Sequence, residues 1–352
     1  MVAACEDAGI DPRDVDGFVS YGSEKNDGQR LMPALGTKEL RFDALVWSHG
    51  GGIPGALGLA ASAIIAGQAE IVVVYRAMAE AWGRRLHVAV NQDDRAAQYV
   101  VNGLIAPVQT CALRTSRILD VDGVPRSALR ALARASYFHA QRNPDAMGYG
   151  TDFDDETYDD ARPVSDPLRL FDCSRESDGS AAVVLVSAER AKDLRQQPAF
   201  VLSSPMGASS TWGAVEEARR PYTSAGFTPI ARRLWQESGY GPQDVDVVQL
   251  YENFTGPAVP ALIEHGFCSY ENVAEVLRFE NLIAPSGRLP INTAGGNLAN
   301  GFIHGMSLLP EAVRQIRGTS PNQVPNARLS LMTGGPMDSV VSSALLGAAE
   351  TL

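Results

Sequence analysis

Apolar positions follow two rhythms along this chain. Glu70-Ile71-Val72-Val73-Val74-Tyr75 and Ala181-Ala182-Val183-Val184-Leu185-Val186 are short, nearly unbroken apolar runs. Runs of that kind predict strands buried on both faces. Between Pro54 and Ala66 the pattern is instead a Gly- and Ala-rich apolar helix, closed by Gly67. Asp43 to Trp47 forms a strand before it, and the loop Ser48-His49-Gly50-Gly51-Gly52 joins the two. Strand, glycine turn, helix and strand together make one α/β unit.

A second unit of the same kind follows. A helix beginning near Phe227 precedes a strand from Val245 to Leu250, which runs into Tyr251-Glu252-Asn253-Phe254. A helix from Pro257 to Glu264, a loop from Asn292 to Gly301 and a helix from Met306 to Arg317 come next. The last strand is Ala327 to Met332, and apolar character returns from Val340 to Leu346 after the Gly334-Gly335 turn. The repeated pattern predicts two similar halves, residues 1–195 and 196–352. Periodicity weakens over about residues 91–168, an excursion over the core holding one helix, Ser127 to Arg142, and the acidic run Asp152 to Asp160. That run lacks histidine and calcium-loop spacing, so a solvated loop is expected rather than a metal site. The start, Met1 to Ala8, reads as a short helix ended by Gly9 with a strand from Val15 to Val19 behind it. With no strand ahead of that helix, a late start or a truncated sheet edge is expected.

Composition narrows the picture little. A net charge of −11 argues against nucleic acid, and the apolar run from Ile53 to Ala66 is too short for a membrane span. Cys5, Cys111, Cys173 and Cys268 lack metal-ligand spacing and read as free thiols in a reducing cytoplasm.

Several motifs carry a resemblance. They are the turn and helix from Gly50 to Gly67, Arg142-Asn143-Pro144-Asp145-Ala146, and Pro167 to Cys173 leading to Asp178-Gly179-Ser180. Tyr251-Glu252-Asn253-Phe254 and Leu289 to Phe302 complete the set. In this order they resemble the thiolase superfamily, within it the sterol-carrier-protein-type thiolases and the lipid-transfer-protein steroid aldolases. The resemblance implies a five-layer αβαβα fold of two pseudo-duplicated halves and a homodimer core.

The thiolase chemistry is missing. The nucleophile column falls at or beside Gly50, the histidine column holds Phe302, and the second cysteine column falls near Thr333. Acyl transfer through a cysteine needs a thiolate, so a true acyl-CoA acyltransferase is disfavoured. The aldolase branch also lacks these cysteines. It implies retro-aldol cleavage of a β-hydroxyacyl-CoA, with coenzyme A as part of the substrate and no covalently bound cofactor. It also implies a DUF35-type partner, an OB-fold module with a zinc element. Those enzymes resemble this chain around Tyr251 to Phe254 and Gly301-Phe302-Ile303-His304-Gly305, and their tyrosine pair maps onto Tyr251 and, with its hydroxyl missing, Phe302. The alternative is a catalytically silent subunit that binds acyl-CoA or supports a partner.

Expected catalytic residues are therefore Tyr251, as a base if neighbouring donors lower its pKa, and His304 as a substitute for the second tyrosine. His49, Gly50, Gly51, Asn292, Asn297, Gly295, Gly296 and Phe302 mark the expected substrate or oxyanion region, and no metal is expected. The residues alone leave open plain turn geometry for the glycines, a packed core role for Tyr251 and a capping role for His304.

Overall fold

The computed structural model describes residues 1–22, 24–79, 97, 99–209 and 221–352. Its first sheet holds β1 (Gly17–Tyr21), β2 (Phe42–Val46), β3 (Val72–Met78) and β4 (Gly179–Leu185) in the order β2-β1-β3-β4. β1 runs parallel to β2 and β3, and β4 pairs antiparallel to β3. The second sheet holds β5 (Phe200–Ser203), β6 (Val247–Gln249), β7 (Leu329–Thr333) and β8 (Val341–Gly347), ordered β5-β8-β7-β6. β6 is parallel to β7, while β8 is antiparallel to both its neighbours.

Side-chain alternation explains the layering. On β1 and β3, Val19, Tyr21, Val72 and Val74 turn into a core shared with Met332, Ala344 and Leu346 of the second sheet. Phe18, Val73 and Tyr75 turn the other way, onto Cys5 and Ala8 of α1 (Val2–Ala8). Strands buried on both faces must read as continuous apolar runs. The helices Ile53–Ile65 and Leu308–Arg317 occupy the space between the sheets and contribute Ile53, Ala56, Leu57, Leu309 and Ala312 to the shared core. Helices Thr228–Ser238 and Thr255–Glu264 cover the outer face of the second sheet through Ile230, Leu234, Ala258 and Leu262. The result is the five-layer thiolase-like arrangement.

Element ends shift by a few residues from the sequence reading. Among the elements that escaped it are the helix Gly28–Leu35, the strand Phe200–Ser203 and the helix Pro107–Asp120. Residues 91–96 and 98, at the start of the predicted excursion, lie outside the described residues. The acidic run is not simply solvated. Asp159 pairs with Arg130 at 2.5 Å and Asp155 with Arg134, both arginines on the helix Arg126–Ala140. Among the described residues no group of three or more His, Cys, Asp or Glu could hold a metal, and no helix is long and apolar enough to cross a membrane.

Candidate active site

The site forms where β6 ends. Leu250 N–H donates to Asn292 Oδ1 at 2.7 Å, and Asn292 N–H returns to Val248 O at 3.0 Å. The loop thereby docks along the strand. Tyr251 N–H donates to Thr333 Oγ1 at 3.0 Å, so the residue in the second cysteine column serves as a backbone anchor. These bonds aim the Tyr251 ring into the space between the sheets, where it is 2% exposed.

Two glycines make room for that ring. A Cβ on Gly50 would sit 2.3 Å from Tyr251 Oη, and one on Gly305 2.4 Å from the ring edge. The Tyr251 hydroxyl therefore occupies the volume that a side chain at the nucleophile column would need.

Electrostatics then alter the expected role. Burial pushes the Tyr251 pKa well above its ordinary value, with Tyr21, Asp338 and Glu252 adding to the rise and Arg76 opposing it. A base needs the opposite shift. In this structure Tyr251 is a neutral phenol, suited to donate a proton or hydrogen bond rather than to remove one.

Phe302 stands edge-on to Tyr251, with ring centroids 6.3 Å apart at 81°, and lies 5.8 Å from the His304 ring. Its N–H donates to Ser177 Oγ at 3.2 Å and Arg175 O at 3.3 Å. His304 is buried at φ 51°, a left-handed conformation that is uncommon for a residue with a side chain. Burial, then Arg76 and His49, depresses its pKa to about 3, and its Nδ1 has no hydrogen-bond partner. It does not cap the following helix, whose N-cap is Ser307. Tyr21 Oη donates to His304 O at 2.9 Å, while the buried Arg76 donates to Tyr21 O at 3.2 Å and faces Glu24 at 3.7 Å. His49 is exposed, with its ring 6.5 Å from that of His304.

The glycine amides are largely committed. Gly51 N–H donates to Asp338 Oδ2 at 3.0 Å, and Gly52 N–H to His49 O at 3.1 Å. Gly295 N–H donates to Asn292 O at 2.7 Å, leaving it little capacity for a ligand. Gly296 sits so close to Glu252 that a Cβ there would fall 1.8 Å from Oε1. Asn292 Nδ2 and both polar atoms of Asn297 are buried without partners. All ten expected residues thus fall in two facing turns and the strand end between them. Tyr21 and Asp338 escaped the sequence reading, and Glu252 and Thr333 were named in it without a role at the site. Glu252 left the one available signal, a charged residue inside an apolar strand end.

Comparison with known proteins identifies the family. Residues 208–347 match the thiolase C-terminal domain-like family. The 17-hydroxy-3-oxo-4-pregnene-20-carboxyl-CoA lyase of Mycobacterium tuberculosis is 35% identical over 346 residues, covering 95% of this chain and 89% of that protein. The chain belongs to the thiolase-fold, steroid side-chain-cleaving aldolase family. A steroid side-chain-cleaving aldolase from Thermomonospora curvata is also 35% identical, over 98% of this chain and 91% of that protein. A solved structure described as an Ltp2-ChsH2(DUF35) aldolase matches with TM-score 0.93 and 34% identity, covering 100% of this chain and 91% of that one. Human mitochondrial 3-ketoacyl-CoA thiolase matches at TM-score 0.68 with 14% identity, a likeness of fold alone. As a member of this aldolase family the chain is a carbon–carbon lyase.

Proposed function

We propose that this protein cleaves a β-hydroxyacyl-CoA thioester bearing a steroid-type side chain by a retro-aldol reaction, in the cytoplasm. It would act as a homodimer core bound to a DUF35-type, zinc-containing OB-fold partner. The observation that carries the reading is the Tyr251 hydroxyl set against Gly50, at the place where thiolases keep their nucleophile. The names of the relatives support the substrate class, and the likeness to the Ltp2-ChsH2(DUF35) aldolase supports the partner. The edge strand β2 supports the homodimer, because Leu45 on it and Trp47 just past its end are 45% and 79% exposed.

In the reaction the β-hydroxyl passes its proton to the His304 imidazole, a carbonyl forms at Cβ, and the Cα–Cβ electron pair moves onto the thioester as an enolate. The enolate then takes a proton at Cα. Neutral Tyr251 suits the acid side, donating to charge that develops on the thioester. His304 suits a relay, because a ring held this far below its ordinary pKa passes a proton on rather than storing it. Asn292 and Asn297 offer buried, unpartnered amide atoms to the thioester. Coenzyme A enters as part of the substrate.

Incubation of the protein, alone and with its DUF35-type partner, with a steroid side-chain β-hydroxyacyl-CoA tests this. The expected products are a ketone and a shortened acyl-CoA, and no cleavage with the partner present overturns the reading. One observation favours a silent acyl-CoA-binding subunit instead: Phe302 puts an apolar ring against Tyr251. Acyl-CoA binding by calorimetry without turnover in the complex would support that alternative.

A further inference from the structure

Glu252 takes no part in the chemistry above, yet it is 1% exposed at the centre of the site. Its Oε1 accepts from Leu298 N–H at 3.3 Å and from Ser136 Oγ–H at 3.3 Å, and the Asn297 amide also reaches the carboxyl group. Oε2 has no hydrogen-bond partner. These amides open the turn from Gly296 to Asn300, a π-helical turn that leads directly to Gly301 and Phe302.

The backbone beyond that turn is unusual. Gly295, Gly296, Gly301, His304 and Gly305 all have positive φ, so regular ladder bonds do not hold this stretch. Anchors from distant parts of the chain do. Glu252 holds its start, the Met147 and Gly148 amides donate to Asn300 O and Ala299 O at 2.9 Å, the Arg175–Ser177 segment holds Phe302, and Tyr21 holds His304 through its carbonyl. Of these anchors, Glu252 alone brings a carboxyl group next to Tyr251.

We propose that Glu252 is a positioning residue for the cleavage: as a neutral carboxylic acid it clamps the 296–300 turn and so fixes Phe302 and His304 against Tyr251. The proposal rests on the aldolase reading. The groups that face the carboxyl are uncharged. Ser136 comes from the helix Arg126–Ala140, the Asn297 and Leu298 amides come from the turn, and Asn292 Nδ2 lies against the same Gly296 Cα. Tyr251 on its own strand end is a neutral phenol, and His139 on the Ser136 helix is held neutral by burial. Among these described residues none is a cation, and burial raises the carboxyl pKa to about 8 against the lowering pull of the Asn297, Leu298 and Ser136 hydrogen bonds. A neutral acid keeps a fixed negative charge away from the place where enolate charge develops.

The test uses the partner-bound enzyme with the steroid β-hydroxyacyl-CoA, comparing wild type, Glu252→Gln and Glu252→Ala across neutral and alkaline pH. Glu252→Ala is expected to lower kcat by about tenfold to a hundredfold with little change in KM, as for a misplaced catalytic loop. Glu252→Gln is expected to recover most of that loss. The wild-type kcat should fall as pH rises past about 8, and the fall should be absent in Glu252→Gln. An infrared difference spectrum between wild type and Glu252→Gln at neutral pH should show a protonated-carboxyl stretch. A normal kcat in Glu252→Ala, or an alkaline fall that persists in Glu252→Gln, overturns the proposal. If Glu252→Ala fails to fold, the Gln comparison decides alone. Failure of the wild-type complex to cleave its substrate counts against the aldolase reading, and the infrared band then decides whether Glu252 is the neutral clamp.

Discussion

The turns at Ser48–Gly52 and Asn292–Gly305 face each other across Tyr251, but they are built in opposite ways. The first is closed. Asp338 takes the Gly51 amide, Ser48 Oγ–H donates to Val340 O at 2.8 Å, and Gly335 N–H donates to Gly50 O at 2.8 Å. The second turn keeps buried, unpartnered atoms on Asn292, Asn297 and His304, with Glu252 Oε2 beside them. Each such atom costs on the order of 1–3 kcal/mol. We propose that the first turn is the wall that seats Tyr251 and that the second is the working surface.

The contrast is sharpest at Tyr251 itself. Tyr251→Phe should reduce turnover by about 10²-fold or more while circular dichroism and melting temperature stay close to wild type. Near-normal turnover in steady-state assays would remove the hydroxyl from the mechanism. Breaking the wall should act through structure as well: Gly50→Ala puts a methyl group against the Tyr251 hydroxyl and should destabilise the fold by about 1–3 kcal/mol in denaturant unfolding. A variant as stable as wild type would show that the ring is free to move.

The working surface should also show itself through pH. Glu252 is raised from 4.5 to about 8 in the fold. A carboxyl whose folded pKa lies above its unfolded value contributes stability that is complete below the unfolded pKa and is lost as pH rises through the folded one. Between about pH 4.5 and 8, wild type should lose up to a few kcal/mol relative to Glu252→Gln. His139, His265 and His304 are shifted down, so their contribution falls away on the acid side instead and cancels in that comparison. Parallel stability curves for the two proteins in thermal melts at stepped pH would contradict the shift. The smallest expected effect is a gain: Phe302→Tyr should raise turnover by about threefold to tenfold if the new hydroxyl faces substrate, within the range of one added proton-transfer or donor group. No gain with the hydroxyl so placed would mean that a tyrosine pair has no role in this chain.

The order of strands, glycine turns and helices was legible because burial on both faces writes a continuous apolar run into Val72–Tyr75, and the half-buried edge strand keeps one at Ala181–Val186. The strand Phe200–Ser203 was missed because Ala199-Phe200-Val201-Leu202 is short and only half buried. The helix Pro107–Asp120 was missed because polar residues interrupt its apolar stripe. At the site, the positions were legible but the roles were not. Tyr251 could serve as a base only if neighbouring donors lowered its pKa, and its surroundings raise it instead.

By itself the sequence determined the layered α/β fold, the absence of cysteine at the thiolase columns, and Tyr251 and Phe302 as the residues that differ in kind. These follow from local pattern and residue type, which need no knowledge of what lies opposite. Only the tertiary structure decided that the Tyr251 hydroxyl fills the space beside Gly50, that Asp338 closes the turn at Gly51, and that Glu252 is sealed from water. Asp338 and Gly51 are 287 positions apart in the chain. Protonation and hydrogen-bond satisfaction depend on solvent exclusion and on partners that distant segments bring together, and no spacing along the chain encodes either one.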